Sequence, residues 1–319
     1  EDSKVDLTMP ALGRRFDLKD LLVANALDVF GLMGCSGFTV WGDRVVGGGV
    51  LTGRNFDRPF TGEHLLSGTI LLVQHRPDGA TSASVTWPGY IATVTGVSSE
   101  GAAAFLHVGS AKITLTPEPE SWPAGVAARC ILEQLTAKRT AAENIRTARS
   151  LLSNTSPPAG YLTRVVLPRV ADGEVPVVVF ETDSRRSEPA EVTGSFSVVT
   201  NHFHSRKDGR EASPDSLGRE RKLCAGIESC LGEGDDRVSV AEAWQILTGV
   251  ERGGGRRFGT LHSLVFRHEP WCFELRIATV EKGRVVAATS SPRRHVLTRE
   301  QVFGRGEPGE RQGEAVNRR

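Results

Sequence analysis

The sequence lacks both a strong net charge and a long apolar run. Its 319 residues contain 39 Lys and Arg against 38 Asp and Glu, which gives a formal net charge of +1. A balance this even provides no long-range attraction to nucleic acid or to an anionic membrane, so neither is an expected partner. No uninterrupted apolar stretch is long enough to span a bilayer. A homo-oligomer remains open, because composition does not address it.

Cysteine is scarce and odd in number. Five cysteines in a chain of this length argue against a disulfide framework and leave at least one thiol free. Cys224 and Cys230 fall within one predicted helix, so we expect them to be core residues of a helix face and not a disulfide pair.

Signatures of several other enzyme classes are also missing. The Cys-Gly-Ser-Cys signature of classical thiol proteases is absent, and so is a phosphate-binding P-loop. His202 and His204 form a His-x-His pair, but no third metal ligand follows at a convincing spacing, although His262 and His268 lie further on. The sequence therefore predicts neither a metal site nor a cofactor.

The periodicity of the apolar residues predicts an α+β protein, and 39% hydrophobic residues are enough for a core. Helices are predicted at 17–30, from Pro123 to Leu135, from the Thr140 capping box to Leu152, at 215–231 and after the Ser239 capping box. Strands are predicted at 36–42, 44–54, 68–75, 83–94, 102–108, 161–168, 175–182, 192–200, 260–267, 271–280 and 284–290.

The two ends of the chain differ from its middle. Residues 304–319 are charged, rich in Gly and without apolar periodicity, which predicts a disordered tail. The chain begins at Glu1 and not at Met, which leaves open whether a leader has been removed. The compartment is not fixed by the sequence, and we favour a secreted or periplasmic location.

Gly34-Cys35-Ser36 opens the most informative pattern in the chain. The β-branched and aromatic residues that follow predict a strand to Trp41, and the glycines at 47–49 predict a turn. The next strand then carries Gly53-Arg54-Asn55-Phe56-Asp57 back beside Cys35. Cysteine is a nucleophile only as thiolate, which a nearby cation favours. From these residues alone, a buried structural cysteine and a surface ion pair remain open.

These motifs resemble the cysteine N-terminal nucleophile (Ntn) hydrolases, the superfamily of choloylglycine hydrolase and penicillin V acylase. They are closer still to the relatives of the penicillin-biosynthetic acyltransferase. The likeness continues in the family's order along the chain, with a pro-segment helix before the cysteine and three later elements: Asp20–Asn25, Val198–Phe203, Ser216–Arg219 and Thr260–Ser263.

The resemblance implies a four-layer αββα sandwich with two central antiparallel sheets. It implies a pro-segment at 1–34, a catalytic domain at 35–303 and the tail at 304–319. In this superfamily the precursor is cut before the cysteine, here between Gly34 and Cys35. The freed α-amine of Cys35 would then serve as its general base.

Roles for individual side chains follow from the same resemblance. Asp57 would accept a hydrogen bond from the Cys35 α-amine. Arg54 would steady the thiolate and lower the pKa of the thiol. Asn201 would donate a hydrogen bond to the oxyanion, and Arg219 matches a further arginine of the family.

One position departs from the family pattern. His107 stands where many relatives carry a second oxyanion Asn. A histidine can donate a hydrogen bond, but it also titrates near neutrality. A backbone N–H is the alternative donor.

The resemblance implies an enzyme that acts on a small-molecule acyl amide. Cys35 would attack a non-peptidic linear amide and form an acyl-thioester, which water or an amine then resolves. The alternative is a non-catalytic or lipid-binding member of the same fold, which uses the cleft for binding.

Overall fold

Two large antiparallel sheets lie face to face, and a pair of helices covers the outer side of each sheet. This is the four-layer αββα sandwich that the resemblance predicted. No helix among the described residues has both the length and the apolar character needed to cross a bilayer. The computed structural model describes residues 8–9, 13–25, 34–59, 66–77, 79, 81–109, 122–155, 157, 160–206, 211–232, 236–253 and 258–304.

The elements are numbered in chain order. The helices are α1 (Leu18–Asn25), α2 (Ala124–Gln134), α3 (Ala141–Ser153), α4 (Pro214–Gly232), α5 (Val240–Thr248) and α6 (Arg299–Phe303). The strands are β1 (Thr8–Met9), β2 (Arg14–Arg15), β3 (Gly34–Trp41), β4 (Val50–Pro59), β5 (Ile70–His75), β6 (Thr81–Thr86), β7 (Thr95–Ser98), β8 (Ala103–Val108), β9 (Tyr161–Val166), β10 (Val177–Thr182), β11 (Ser187–Ala190), β12 (Phe196–Val199), β13 (Phe258–Arg267), β14 (Cys272–Ile277), β15 (Thr279–Glu281), β16 (Arg284–Val286) and β17 (Arg294–Thr298).

The first large sheet has seven strands in the order β11-β10-β9-β8-β7-β6-β5. Helices α2 and α3 cover its outer face, where Ile131 and Leu152 join Val165 in one apolar cluster. Helix α3 begins at the capping box of Thr140 and Glu143 that the sequence predicted. The cap fixes the start of the helix, and the apolar face fixes its side of the sheet.

The second large sheet has six strands in the order β12-β3-β4-β13-β14-β17. Helices α4 and α5 cover its outer face, where Leu223 and Trp244 join Phe38 and Val265 in one cluster. Strand β12 pairs with β3 only at residues 37–40 of β3. The first residues of β3 therefore lie beyond the end of this ladder.

A turn of three glycines precedes β4 and sets its pairing with β3. Gly47, Gly48 and Gly49 have φ angles of 82°, 76° and 80°, a left-handed conformation that other residues resist. In the resulting register Cys35 lies opposite Phe56, and the segment from Arg54 to Asp57 runs beside Cys35, as the sequence predicted.

The space between the sheets is apolar but contains two buried cations. Phe105 and Leu264 belong to the cluster that joins the two sheets. The guanidinium groups of Arg54 and Arg164 are completely buried in the same region. Arg164 lies over the ring of Phe105, 4.6 Å from its centroid, and donates a 2.9 Å hydrogen bond to the Gly53 carbonyl.

Several predicted strands are wrong in extent, among them the run at 44–54, since β4 begins only at Val50 and continues to Pro59. The run at 83–94 contains only the end of β6, because Pro88 and Gly89 turn the chain after it, with φ of 86° at Gly89; β7 begins beyond the run, at Thr95. The run at 192–200 contains only β12, and β11 ends before it. In the run at 284–290 only Arg284–Val286 form a strand, the short β16. The exposed edge strand β17 was missed because it has no apolar alternation.

Helix α1 is attached to the protein by polar contacts. Its predicted span of 17–30 extends beyond the described residues, which end here at Asn25, and none of its side chains is fully buried. Leu18 and Leu22, expected on an apolar face, are exposed. The Asn25 side chain instead donates to the Gly89 carbonyl at 2.7 Å and accepts from the Ile91 amide at 2.7 Å.

We expect Gly37→Ala to destabilise the protein by about 1–3 kcal/mol, the usual cost of overpacking. A Cβ at Gly37 would lie 2.6 Å from the Gly53 carbonyl oxygen and 2.7 Å from the Arg164 guanidinium. Gly218→Ala is the matched control, because a Cβ there meets nothing within 4 Å. In a helix interior, alanine is more stable than glycine by about 0.5–1 kcal/mol. Urea unfolding that gave both variants the same stability would contradict this account of the packing.

Candidate active site

Cys35 lies at the start of β3 and is completely buried. Its thiol donates to the Leu106 carbonyl at 3.6 Å, on the facing sheet. The Arg54 guanidinium contacts the same two atoms, with one N–H donor 3.2 Å from the Cys35 Sγ and 2.8 Å from the Leu106 oxygen. The predicted proximity of Cys35 and Arg54 is therefore present in the fold.

Asn201 takes the place of a strand partner for Cys35. Strand β12 leaves the ladder after Val199, which pairs with Gly37. Two residues later the Asn201 Oδ1 accepts a 3.0 Å hydrogen bond from the Cys35 backbone N–H. The Asn201 Nδ2 donates to the Val108 carbonyl at 2.8 Å, so this amide links the two sheets at the thiol.

Arg219 extends from α4 to the same two residues. It donates one hydrogen bond to the backbone carbonyl of Cys35 and another to the Asn201 Oδ1 at 2.7 Å. Asp215, one helical turn earlier, accepts from Arg219 at 3.0 Å and orients its side chain. Asp215 was not predicted from sequence, although its i,i+4 spacing to Arg219 is a readable signal.

Asp57 does not contact the nitrogen of Cys35 in this uncut chain. The Cys35 N–H and C=O both point away from β4. On that side Asn201 accepts from the N–H, and Arg219 donates to the C=O. The buried Asp57 carboxylate accepts from the Thr260 hydroxyl at 2.7 Å and lies 3.4 Å from the Arg252 Nε. The contact with a free α-amine stays a prediction for the cut chain.

Burial controls the ionisation of both Cys35 and Asp57. It raises the pKa of the Cys35 thiol, and the Arg54 charge acts in the opposite direction. It also raises the pKa of Asp57, which the Thr260 hydrogen bond and then the charge of Arg219 oppose. In the uncut chain, therefore, Arg54 is the largest factor that favours the thiolate.

His107 lies on β8 between two residues whose carbonyls contact the site. Those carbonyls belong to Leu106 and Val108, whereas in the described part of the chain the ring of His107 makes no hydrogen bond with Cys35 or Asn201. Burial lowers the pKa of His107 well below its ordinary value, and neighbouring arginines lower it further. The ring is therefore neutral, and its role as an oxyanion donor stays a prediction.

An apolar wall surrounds the thiol. The cluster that contains Cys35 is built from Phe56, Trp87, Tyr90, Leu106, Tyr161 and Leu261, among others. Sequence reasoning missed this set, because its members come from separate strands and a loop and share no local pattern. A charged residue inside the apolar strand β9, Arg164, was a readable signal that also went unused.

A second polar cluster lies behind Asn201 and Arg219. The His202 Nε2 is 3.2 Å from Glu220 Oε2, and the His204 Nδ1 is 3.4 Å from Glu220 Oε1. The sequence offered no third ligand for this His-x-His pair, and the fold supplies one from α4. Spacing along the chain could not show it, because Glu220 approaches only when α4 packs beside β12.

Comparisons with known proteins identify the fold. No family model matches the chain, and neither does any curated protein. Two variants of the conjugated bile acid hydrolase from Clostridium perfringens superpose with TM-scores of 0.53 and 0.54, at 10% and 8% identity. Each match covers 89% of this chain, and 99% and 100% of the respective hydrolase chains.

An ortholog of N-acylethanolamine-hydrolyzing acid amidase from Caenorhabditis elegans has a TM-score of 0.48 at 16% identity. That match covers 73% of this chain and 93% of the other. The bile acid hydrolase superpositions show that the chain has the Ntn-hydrolase fold, which confirms the predicted architecture.

We expect Arg54→Gln to raise the pKa of the Cys35 thiol, because the variant removes the cation nearest to the sulfur. The pH dependence of alkylation, followed by mass spectrometry on the Cys35 peptide, measures this pKa. Arg58→Gln is the control, since Arg58 lies on the same strand but faces the Trp87 ring at 6.0 Å. The same alkylation profile in the parent and Arg54→Gln would remove Arg54 from the account of thiol ionisation.

Proposed function

We propose that the protein is a cysteine Ntn amidohydrolase that cleaves a non-peptidic linear amide through an acyl-thioester on Cys35. The observation that carries the proposal is the contact of a buried thiol with a buried guanidinium, 3.2 Å apart, at the start of β3 in an Ntn-hydrolase fold. Pure ligand binding has no use for this pair, since a buried cation is costly unless an anion forms beside it.

The proposed reaction has two stages. In the first, the Cys35 sulfur attacks the substrate carbonyl, and its proton passes through the α-amine to the departing amine. The C–N bond breaks and a thioester remains on the sulfur. In the second stage water, deprotonated by the same α-amine, attacks the thioester and releases the acid. An acceptor amine in place of water would give acyl transfer.

Asn201 and Arg54 are assigned different tasks in this reaction. Arg54 favours the thiolate before attack and stays beside the sulfur as a leaving group in the second stage. The Asn201 Nδ2 donates to the Val108 carbonyl and links the two sheets beside the thiol. We assign this side-chain amide to the oxyanion, an interaction worth about 3–4 kcal/mol in comparable sites.

The acyl side of the substrate is expected to be apolar. Apart from Arg54, the thiol lies in a cluster of aromatic and aliphatic side chains that includes Trp87, Tyr90 and Leu106. Each methylene buried there contributes about 0.8 kcal/mol. A long aliphatic acyl group would therefore gain more binding free energy from these side chains than a short or charged acyl group.

We expect the processed protein to hydrolyse straight-chain N-acyl anilides, with faster turnover as the acyl chain lengthens. Cys35→Ser should fold and lose about 1000-fold or more in turnover, since serine lacks an accessible anionic form. Cys130→Ser, a half-buried cysteine of α2, is the control and should retain parental turnover.

Turnover of Cys35→Ser within about tenfold of the parent would rule out Cys35 as the nucleophile. Saturable binding of the anilides by the parent, without product, would favour the non-catalytic alternative instead.

We also expect self-cleavage between Gly34 and Cys35, because the α-amine cannot act as a base while it is part of a peptide bond. The sulfur attacks the Gly34 carbonyl, the acyl group moves from nitrogen to sulfur, and water hydrolyses the thioester. Intact-mass analysis of the expressed 319-residue chain should show residues 1–34 as a separate piece. Cys35→Ala should stay whole, whereas Cys272→Ala should cleave normally. An active protein with an intact Gly34–Cys35 bond would contradict this mechanism.

A further inference from the structure

The cluster of His202, His204 and Glu220 has the composition and spacing of a metal site. One nitrogen from each ring and one carboxylate oxygen lie within 4.8 Å of one another. The His202 Nε2 is 3.2 Å from Glu220 Oε2, and the His204 Nδ1 is 3.4 Å from Glu220 Oε1. Donor atoms of a tetrahedral Zn²⁺ with bonds of about 2.0–2.1 Å lie about 3.3 Å apart.

We propose that His202, His204 and Glu220 bind one Zn²⁺ ion, with water at the fourth position. Imidazole and carboxylate together suit zinc better than the oxygen-seeking Mg²⁺ or Ca²⁺. The site lies behind Asn201 and Arg219, and the ion would take no direct part in the proposed amide chemistry, because none of its three ligands contacts Cys35 in the described structure.

A second layer of contacts orients the His202 ring. Its Nδ1 lies 2.8 Å from the Ser216 hydroxyl and 3.2 Å from the Thr200 hydroxyl. These contacts occupy Nδ1 and direct Nε2 toward Glu220, which is how metal-binding histidines are commonly held. The rings of His202 and His204 stack with centroids 4.7 Å apart, and each has one nitrogen beside the Glu220 carboxylate.

A buried carboxylate fixes the loop that carries the second histidine. Glu181, on β10 of the facing sheet, accepts hydrogen bonds from the backbone amides of His204, Ser205 and Arg206. The Arg206 guanidinium pairs in turn with Asp183. The His204 side chain therefore starts from a fixed backbone, and zinc binding requires little reorganisation.

An ion has access to the site from solvent. His204, Glu220 and Cys224 line a cavity of about 210 Å³, and the His204 side chain is 33% exposed. A volume of that size is ample for a metal-bound water. Cys224 lies one helical turn after Glu220 and is half-buried in the wall of this cavity.

Zinc at this position would join the two segments that hold Cys35. His202 directly follows Asn201, and Glu220 directly follows Arg219. A metal bridge between the histidines and Glu220 would thus secure the loop after β12 to α4, beside the existing contact of Asn201 with Arg219. The expected result is a more rigid support for the Cys35 backbone.

Titration of the metal-free full-length protein with ZnCl₂ against a chromophoric chelator tests the site. We expect one equivalent to bind and the melting temperature to rise by roughly 5 °C at a free zinc concentration 100 times Kd. Glu220→Gln, close in shape, should weaken binding by at least about tenfold. His295→Gln, an exposed histidine on β17, should bind as the parent does.

Two further measurements keep the test decisive. His204→Gln should also weaken zinc binding by at least about tenfold. Because the His204 side chain is partly exposed, this variant should fold even if Glu220→Gln does not. Hydrogen exchange of residues 199–206 and 214–224 should slow on zinc addition in the parent but not in either variant. Absence of zinc binding by the folded parent, or equal affinity in the parent and both variants, would overturn the proposal.

Discussion

The buried charge of Arg54 is the constraint on which the rest of this structure depends. Its guanidinium is completely enclosed between the two sheets, and Nε and one terminal nitrogen have no hydrogen-bond partner among the described residues. The rings of Phe56 and Phe105, 5.6 and 5.7 Å from the guanidinium carbon, provide part of its surroundings. A cation held this way favours an anion beside it, and the nearest group able to supply one is the Cys35 thiol.

The same region contains Arg164, whose charge Cys35 also faces across the sheets. Burial lowers the pKa of Arg164 well below its ordinary value, and the neighbouring Arg54 charge lowers it further. Both guanidinium groups interact electrostatically with Cys35. An ionised Cys35 would therefore be stabilised by two cations, against the burial that raises the pKa of the thiol.

Local sequence patterns predicted most of the helices and strands and part of the site, whereas the four-layer arrangement was predicted from the family resemblance. The β3–β4 hairpin, both capping boxes and the order of helices and strands follow from residues close together in the chain, which is where periodicity is informative. The partners of Asp57 could not be read in this way, since Thr260 and Arg252 reach it from β13 and the preceding loop. Glu220 and its histidines likewise meet only through the packing of α4 beside β12. The exposed β17 carries too little apolar pattern for any local method.

In this hairpin, the residues that contact the Cys35 backbone differ from the residue that contacts its sulfur. Its N–H and C=O face Asn201 and Arg219 on one side, while Arg54 reaches the sulfur from the other. Asn201 and Arg219 thus position the Cys35 backbone, and Arg54 affects the ionisation of its thiol. A change at Arg54 alters the charge beside the sulfur, and a change at Asn201 alters where the sulfur lies.

Loop length in this hairpin is part of the chemistry. Alternate residues of a strand face opposite sides of a sheet, so a register shift of one residue reverses every side chain. The glycines at 47–49 fix the register that sets Gly37 opposite Arg54 and turns the guanidinium toward Cys35. A pairing of β4 shifted by one residue, with no substitution near the thiol, would turn Arg54 toward the face that α4 and α5 cover and away from the sulfur.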